Sequence, residues 1–490
     1  MAPISDQDKT HSCGCSRRGF LAAAGAAVLA PSLLANRANA AETSSERRIA
    51  PAGPASKYTP TIQVAFVRRK ENYGMWWPGA IYDGDAALQN YRRQIETTAK
   101  QLGVGLRMRP VPIYSASEAD QWVAEAKALR PDGLLVVLLD RQEHSWPTAY
   151  KAIDSKIATV VFAPVGAAFT TNTASLAKRS GCFVCSTDDF SQVAYGMKML
   201  KAAAKLRETR CVVIKGKNRR ETEIKHFGTK LHYLPEKTFL DEYRRTPLSD
   251  ELRRIATEYI NNATRIAGPT EQDVLNGVKS YVVARNILER EEGDAITMNC
   301  LGALGKTNVS LPCIAWSRML DHGIPAACEA DLRACVTHAL VQYLFDRPGF
   351  QQDPVPDTAN DALIGAHCTC PTRLNGFSEP PEPYYLSHHH GMRDAVPRTM
   401  WRVGQRVTVL DAVLSKQDDV PPKLIISAGE VIENIKVPPS GGCVVSVMVK
   451  LDGVSDYLDY PGFHQQFFYG DYKKELRSYC QLFGIEPLVV

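Results

Sequence analysis

The chain has 490 residues, 44% of them hydrophobic and 23% charged, with a formal net charge of +5. That length holds roughly two to four domains of ordinary size. So mild a charge, with no basic stripe interleaved with aromatics, excludes a nucleic-acid partner; the densest basic stretch, Lys215 to Arg245, is interrupted by Glu221, Glu223, Glu236, Asp241 and Glu242 and reads as solvated surface.

The chain opens on Ser16-Arg17-Arg18-Gly19-Phe20-Leu21, then small apolar residues from Ala22 to Ala35, then Ala38-Asn39-Ala40. This is the order of a twin-arginine export signal over residues 1–40, ending in the small-x-small pattern of a cleavage site. The apolar run is too short and Ala-rich to span a bilayer, which takes about 20 strongly apolar residues. No later stretch meets that need, so no stable membrane insertion is expected and the mature body is expected in the periplasm or outside the cell. Residues 41–60, rich in Ser, Pro and Ala, read as a linker.

Ordered structure is expected from Ile62–Val67, a short branched apolar run and hence a strand. A helix over Leu88–Leu102 follows and stops near Gly103. Gly133–Leu139 and Ile157–Phe162 are continuous apolar runs, as in parallel strands covered on both faces. Val193–Leu206 has helical spacing and leads into Cys211–Ile214. The alternation predicts two open parallel-sheet α/β domains, 61–175 and 176–353. After Pro354 the pattern changes to alternating segments, Arg402–Leu410, Lys423–Ser427, Val431–Val437 and Cys443–Leu451, which predict a β-rich, barrel-like domain over 354–490. Asp471–Phe483 carries Leu476, Tyr479, Cys480 and Phe483 on one helix face and stops at Gly484, so a helix closes that domain.

Thirteen cysteines are present, of which Cys13 and Cys15 belong to the leader. The remaining odd number, spread over nearly 300 residues, argues for small buried thiols rather than a disulfide scaffold. Cys182-x-x-Cys185 and Cys368-x-Cys370 have knuckle-like spacing but lie too far apart for an ordinary paired zinc site. His388-His389-His390 reads as surface loop.

Three segments give the chain a resemblance. Ala315-Trp-Ser-Arg-Met-Leu-Asp-His-Gly-Ile-Pro-Ala-Ala-Cys-Glu-Ala-Asp331 resembles the segment of the L-fucose/L-arabinose isomerase superfamily in which a strand delivers Glu-x-Asp to the site. Gly365-Ala-His-Cys-Thr-Cys-Pro371 is similar to its short His-Cys segment, and His464-Gln-Gln-Phe-Phe-Tyr-Gly470 to its C-terminal His segment. The resemblance implies aldose–ketose isomerisation on a divalent cation, usually Mn2+, held by two carboxylates and one His. By position it assigns Asp331 and His464 to the metal and Asp331 and Glu329 to catalysis. His367, Arg318, Trp76 and Trp77 become candidates for binding a sugar or glycan, and a homo-oligomer (trimer or hexamer) is implied. The first family carboxylate, a Glu shortly upstream, has no counterpart, since no Glu occurs between Glu292 and Glu329; Asp321 reads as a turn residue.

Other readings stand beside these. Asp331 suits the N-cap of a helix over Leu332–Phe345. Glu329 and Asp331, if on a strand, would face one side about 6–7 Å apart. Three functions follow: metal-dependent isomerase, metal-free glycoside hydrolase acting on extracellular glycans (with Asp411 and Asp471 as further carboxylates), or non-catalytic sugar-binding protein.

Overall fold

A computed structural model describes residues 49, 52–70, 83–141, 144–389, 392–415, 420–436 and 444–490. The leader and the Trp76–Trp77 segment lie outside the described residues, as does His390. The first sheet is wholly parallel, in the spatial order Gly105–Met108, Thr61–Val67, Gly133–Leu138, Thr159–Ala163 and Cys182–Ser186. Its central strands are buried along nearly their whole length, as continuous apolar runs in parallel strands should be. The helix Gly84–Leu102 begins four residues before the expected start because Asp83 caps it, accepting from the N–H groups of Asp85 and Ala86. It ends at Gly103, whose φ of 65° is the left-handed stop expected there.

The second sheet runs Ala326–Ala327, Ala295–Met298, Arg210–Ile214, Thr229–Leu234 and Arg220–Ile224, parallel except for the last, which pairs antiparallel. The strand Cys182–Ser186 belongs to the first sheet, so that layer runs past the boundary expected at residue 175. From Phe350 the chain forms a closed six-stranded antiparallel barrel, in the order Arg406–Val413, Gln465–Tyr469, Phe350–Asp357, Ala362–His367, Val445–Leu451 and Lys423–Asn434, which returns to the first strand. Lys423–Ser427 and Val431–Val437, expected as two strands, are one strand with a bulge between Val431 and Glu433. The bulge bends the strand as barrel closure requires.

The helix Leu332–Phe345 is the joint between these layers. It is buried over most of its length, and its Val336, Leu340 and Leu344 share a core with Leu410, Ile426 and Phe468 on the outside of the barrel. The closing helix, Lys473–Phe483, buries Leu476, Tyr479 and Cys480 and stops at Gly484 as the periodicity required. It docks on the first sheet, where Gly181 N–H donates to the Gln481 carbonyl. No helix among the described residues is long and apolar enough to cross a membrane.

Candidate metal centre

Glu329 and Asp331 do not lie on a strand. The strand ends at Ala327, and Glu329 and Ala330 follow with φ of 64° and 54°. Two successive non-glycine residues in the left-handed region cost roughly 1–2 kcal/mol each. The turn is held by Ala330 N–H donating to the Met298 carbonyl at 2.8 Å and Asp331 N–H donating to Cys328 at 3.1 Å. Cys328 N–H in turn donates to Gln351 Oε1 on the barrel at 2.9 Å. The site therefore sits off the C-terminal end of the second sheet, where open α/β sheets place ligands, and the barrel closes it from the other side.

The barrel contributes three residues. Pairing of Gln352 with Gln465 puts Asp353 and His464 next to each other one step further along. His464 adopts a φ of 55°, which turns its ring out of the strand's alternation. Its Nδ1 lies 2.8 Å from Asp331 Oδ2, while its Nε2 faces Asp353 Oδ1 at 3.1 Å and Glu329 Oε2 at 3.7 Å. His367 packs edge-on to the His464 ring with centroids 5.5 Å apart. One donor atom from each of Glu329, His367 and His464 falls within 4.8 Å of the other two, a group able to hold a metal ion.

Asp331 takes up the expected N-cap, but its other oxygen faces the His464 ring and not the space where the metal was expected. Its Oδ1 accepts from Ala334 N–H at 2.9 Å, capping the helix Leu332–Phe345, and its Oδ2 holds the His464 ring. With Nδ1 engaged by Asp331, it is Nε2 that His464 presents to an ion, in the carboxylate–imidazole–metal arrangement common at metal centres. The carboxylates that share that space with Nε2 are Glu329 and Asp353. Asp353 was missed in the sequence because it sits in a polar barrel strand among Gln351, Gln352 and two prolines, with no motif around it. Glu329, Asp353 and His464 thus bring two carboxylates and one imidazole together, with His367 beside them.

The electrostatics agree with a site built for positive charge. Burial opposes the His464 cation, but hydrogen bonds to Asp331 and Asp353 raise its pKa to about 9. Burial pushes the Glu329 carboxyl above its usual range; His464 opposes this, and Asp353 and Asp331 add to it. Burial also works against the Asp331 anion, yet the hydrogen bonds from His464 and the Ala334 N–H hold it below the ordinary carboxylate range. Behind the site, burial and then the field of His367 keep His338 neutral, its pKa falling to about 3. The His464 side chain is only 6% exposed, whereas Glu329 is 38% exposed, so the donors are fixed at the back and open at the front.

Other sequence candidates lie elsewhere. Arg318 is buried within the helix Cys313–Asp321, ion-paired to Glu258 at 3.1 Å and stacked on Tyr259 and Tyr281. Asp321 is no turn residue but the buried last residue of that helix, accepting from the N–H groups of Thr372 and Arg373. Asp411 is buried and ion-paired to Arg333, and Asp471 is a surface partner of Arg406. Cys182 and Cys185 enter two different cores on opposite faces of the first sheet, and Cys370 points into the barrel core. His389, expected at the surface, is buried; His388 Nδ1 meets the Asp394 carbonyl at 3.1 Å.

No family model and no curated protein matches the chain. Among solved structures, a solute-binding protein of an ABC transporter from Burkholderia multivorans, with an unknown ligand interpreted as α-D-erythrofuranose, aligns at 12% identity over 59% of this chain and 95% of its own, with a TM-score of 0.18. A similarity of that size carries no argument for fold or function.

Proposed function

We propose that this chain is a metal-dependent sugar isomerase in which Glu329, Asp353 and His464 hold a divalent cation, Mn2+ by the hardness of the donors. The observation that supports it is the convergence of both carboxylates on His464 Nε2 while Asp331 engages Nδ1. Two carboxylates and one imidazole suit a hard ion with open positions. They balance its charge where burial on one side makes an unpaired charge costly. Bound there, the cation would polarise a substrate's carbonyl and adjacent hydroxyl.

The chain's own residues do the rest. Asp331 fixes the His464 tautomer and ring plane. Glu329, part-exposed at the open side of the site, is placed so that its carboxylate can exchange a proton with substrate in the manner of a general acid–base.

The test is incubation of the purified chain with a panel of aldoses and Mn2+ in deuterated water. Ketose formation with deuterium on the carbon next to the carbonyl, absent in His464→Ala, is the expected result. Metal-free protein that releases reducing sugar from oligosaccharides in the presence of chelator would replace this reading with the glycoside hydrolase.

A further inference from the structure

A second set of metal-ligating side chains lies beside the first and has a different chemistry. Cys313, Cys368 and His389 are all buried, and one donor atom from each lies within 4.8 Å of the other two. They come from three places. Cys313 is the first residue of the helix Cys313–Asp321, where the helix dipole favours a thiolate. Cys368 follows the barrel strand Ala362–His367. His389 ends the strand Tyr384–His389 at a bulge between His388 and His389, and a bulge re-aims the side chain that follows it. Neither close cysteine pair in the sequence forms this group: Cys368 meets a thiol 55 positions upstream, not Cys370.

We propose that Cys313, Cys368 and His389 bind one Zn2+ at a site distinct from the carboxylate centre. Charge selects the ion. Two thiolates and a neutral imidazole cancel a divalent cation, so the loaded site is neutral and its burial costs little electrostatically. A monovalent ion of the same softness would leave a net negative charge in a fully buried place. Soft sulfur donors with one imidazole are a set that zinc accepts and that Mn2+ does not prefer. Binding is balanced as one Zn2+ in and two thiol protons out, with no change of oxidation state.

Bound there, zinc would bridge three elements. It would tie a helix of the second α/β layer to the barrel and to the hairpin that follows. Cys368 Sγ lies 3.7 Å from His367 Nδ1, so zinc on Cys368 would steady the wall of the carboxylate centre.

The experiment is anaerobic titration of metal-stripped full-length protein with Co2+, followed optically, with zinc X-ray absorption on the zinc-loaded chain. A sulfur-to-cobalt charge-transfer band saturating at one equivalent, and a zinc spectrum with two sulfur neighbours at about 2.3 Å, are expected. The band should vanish in the double variant Cys313→Ser/Cys368→Ser, and Zn2+ affinity should fall more than about 100-fold in His389→Ala. The band should survive in His464→Ala, which separates this site from the proposed Mn2+ centre. Cobalt bound without a sulfur band, a zinc spectrum without sulfur, or a band that persists in the double variant would each overturn the proposal. The X-ray measurement on wild-type protein keeps it decidable if a variant does not fold.

Discussion

Asp331 gives one carboxylate oxygen to the Ala334 N–H and the other to His464 Nδ1, at 2.9 and 2.8 Å. One side chain therefore sets both where a buried helix begins and how an imidazole is turned 133 positions away. The two jobs can be separated by substitution.

Asp331→Asn should keep the cap, since Asn caps as well as Asp, but its amide offers His464 a weaker, uncharged partner. Unfolding stability is expected to change by less than about 1 kcal/mol, while Mn2+ affinity falls about 10- to 100-fold, the usual loss for an orienting partner. Asp331→Ala should lose about 1 kcal/mol more through the missing cap. Calorimetric metal titration and thermal unfolding on the same samples check both numbers. Equal Mn2+ affinity in wild type and Asp331→Asn would exclude an orienting role.

Glu329→Gln and Asp353→Asn should each lower Mn2+ affinity more than about 100-fold with stability held within about 1 kcal/mol, because both side chains are part-exposed and neither anchors a core. If Asp353→Asn binds Mn2+ as wild type does, the ion has another second carboxylate.

Asp321 makes the folded protein less stable as the pH rises out of mild acid. Burial raises its carboxyl to about 6, against the hydrogen bonds from Thr372 and Arg373 that favour the anion. A carboxyl with a raised folded pKa adds stability that is complete below about 4 and is lost as pH climbs through about 6. The loss is on the order of 3 kcal/mol across that window. In Asp321→Asn this part of the slope should be absent from denaturant midpoints measured between pH 4 and 7. A slope unchanged from wild type would assign the pH dependence to other groups.

Arg333 offsets the buried anion of Asp411, which is 1% exposed. Removing one partner of such a pair strands the other, so Arg333→Met should cost about 3–5 kcal/mol. Arg333→Met/Asp411→Leu should recover most of that loss. Chemical denaturation of the three chains tests the pair, and an additive double variant would mean the two residues do not interact.

The apolar runs Gly133–Leu138 and Thr159–Ala163 announce a parallel sheet because covered strands need no polar face. The barrel was visible from turn spacing and alternation, and Gly484 marked the end of the last helix. The site was legible only in part. Asp331, Glu329, His367 and His464 lie in segments with a recognisable pattern. Asp353 does not, because what makes it a site residue is its pairing beside His464 across two barrel strands, a relation between segments over 100 positions apart. The Cys313, Cys368 and His389 group was hidden for the same reason, and the close cysteine pairs drew attention to the wrong neighbours. Arg318 looked like a site cation because its segment carries the site acids, but it lies on the far side of that segment, facing Glu258.

The donors of the carboxylate centre are strung between residues 329 and 464, on a loop of one layer and, in the barrel, on one strand and the residue that leads into another. In the unfolded chain they are strangers, so an ion that binds them binds the native state alone. Metal supply then acts by mass action on the folding equilibrium. At a free concentration about 100 times its dissociation constant it adds about 2.7 kcal/mol. For a protein of ordinary marginal stability, binding of the proposed ion would thus lengthen the lifetime of the folded molecule.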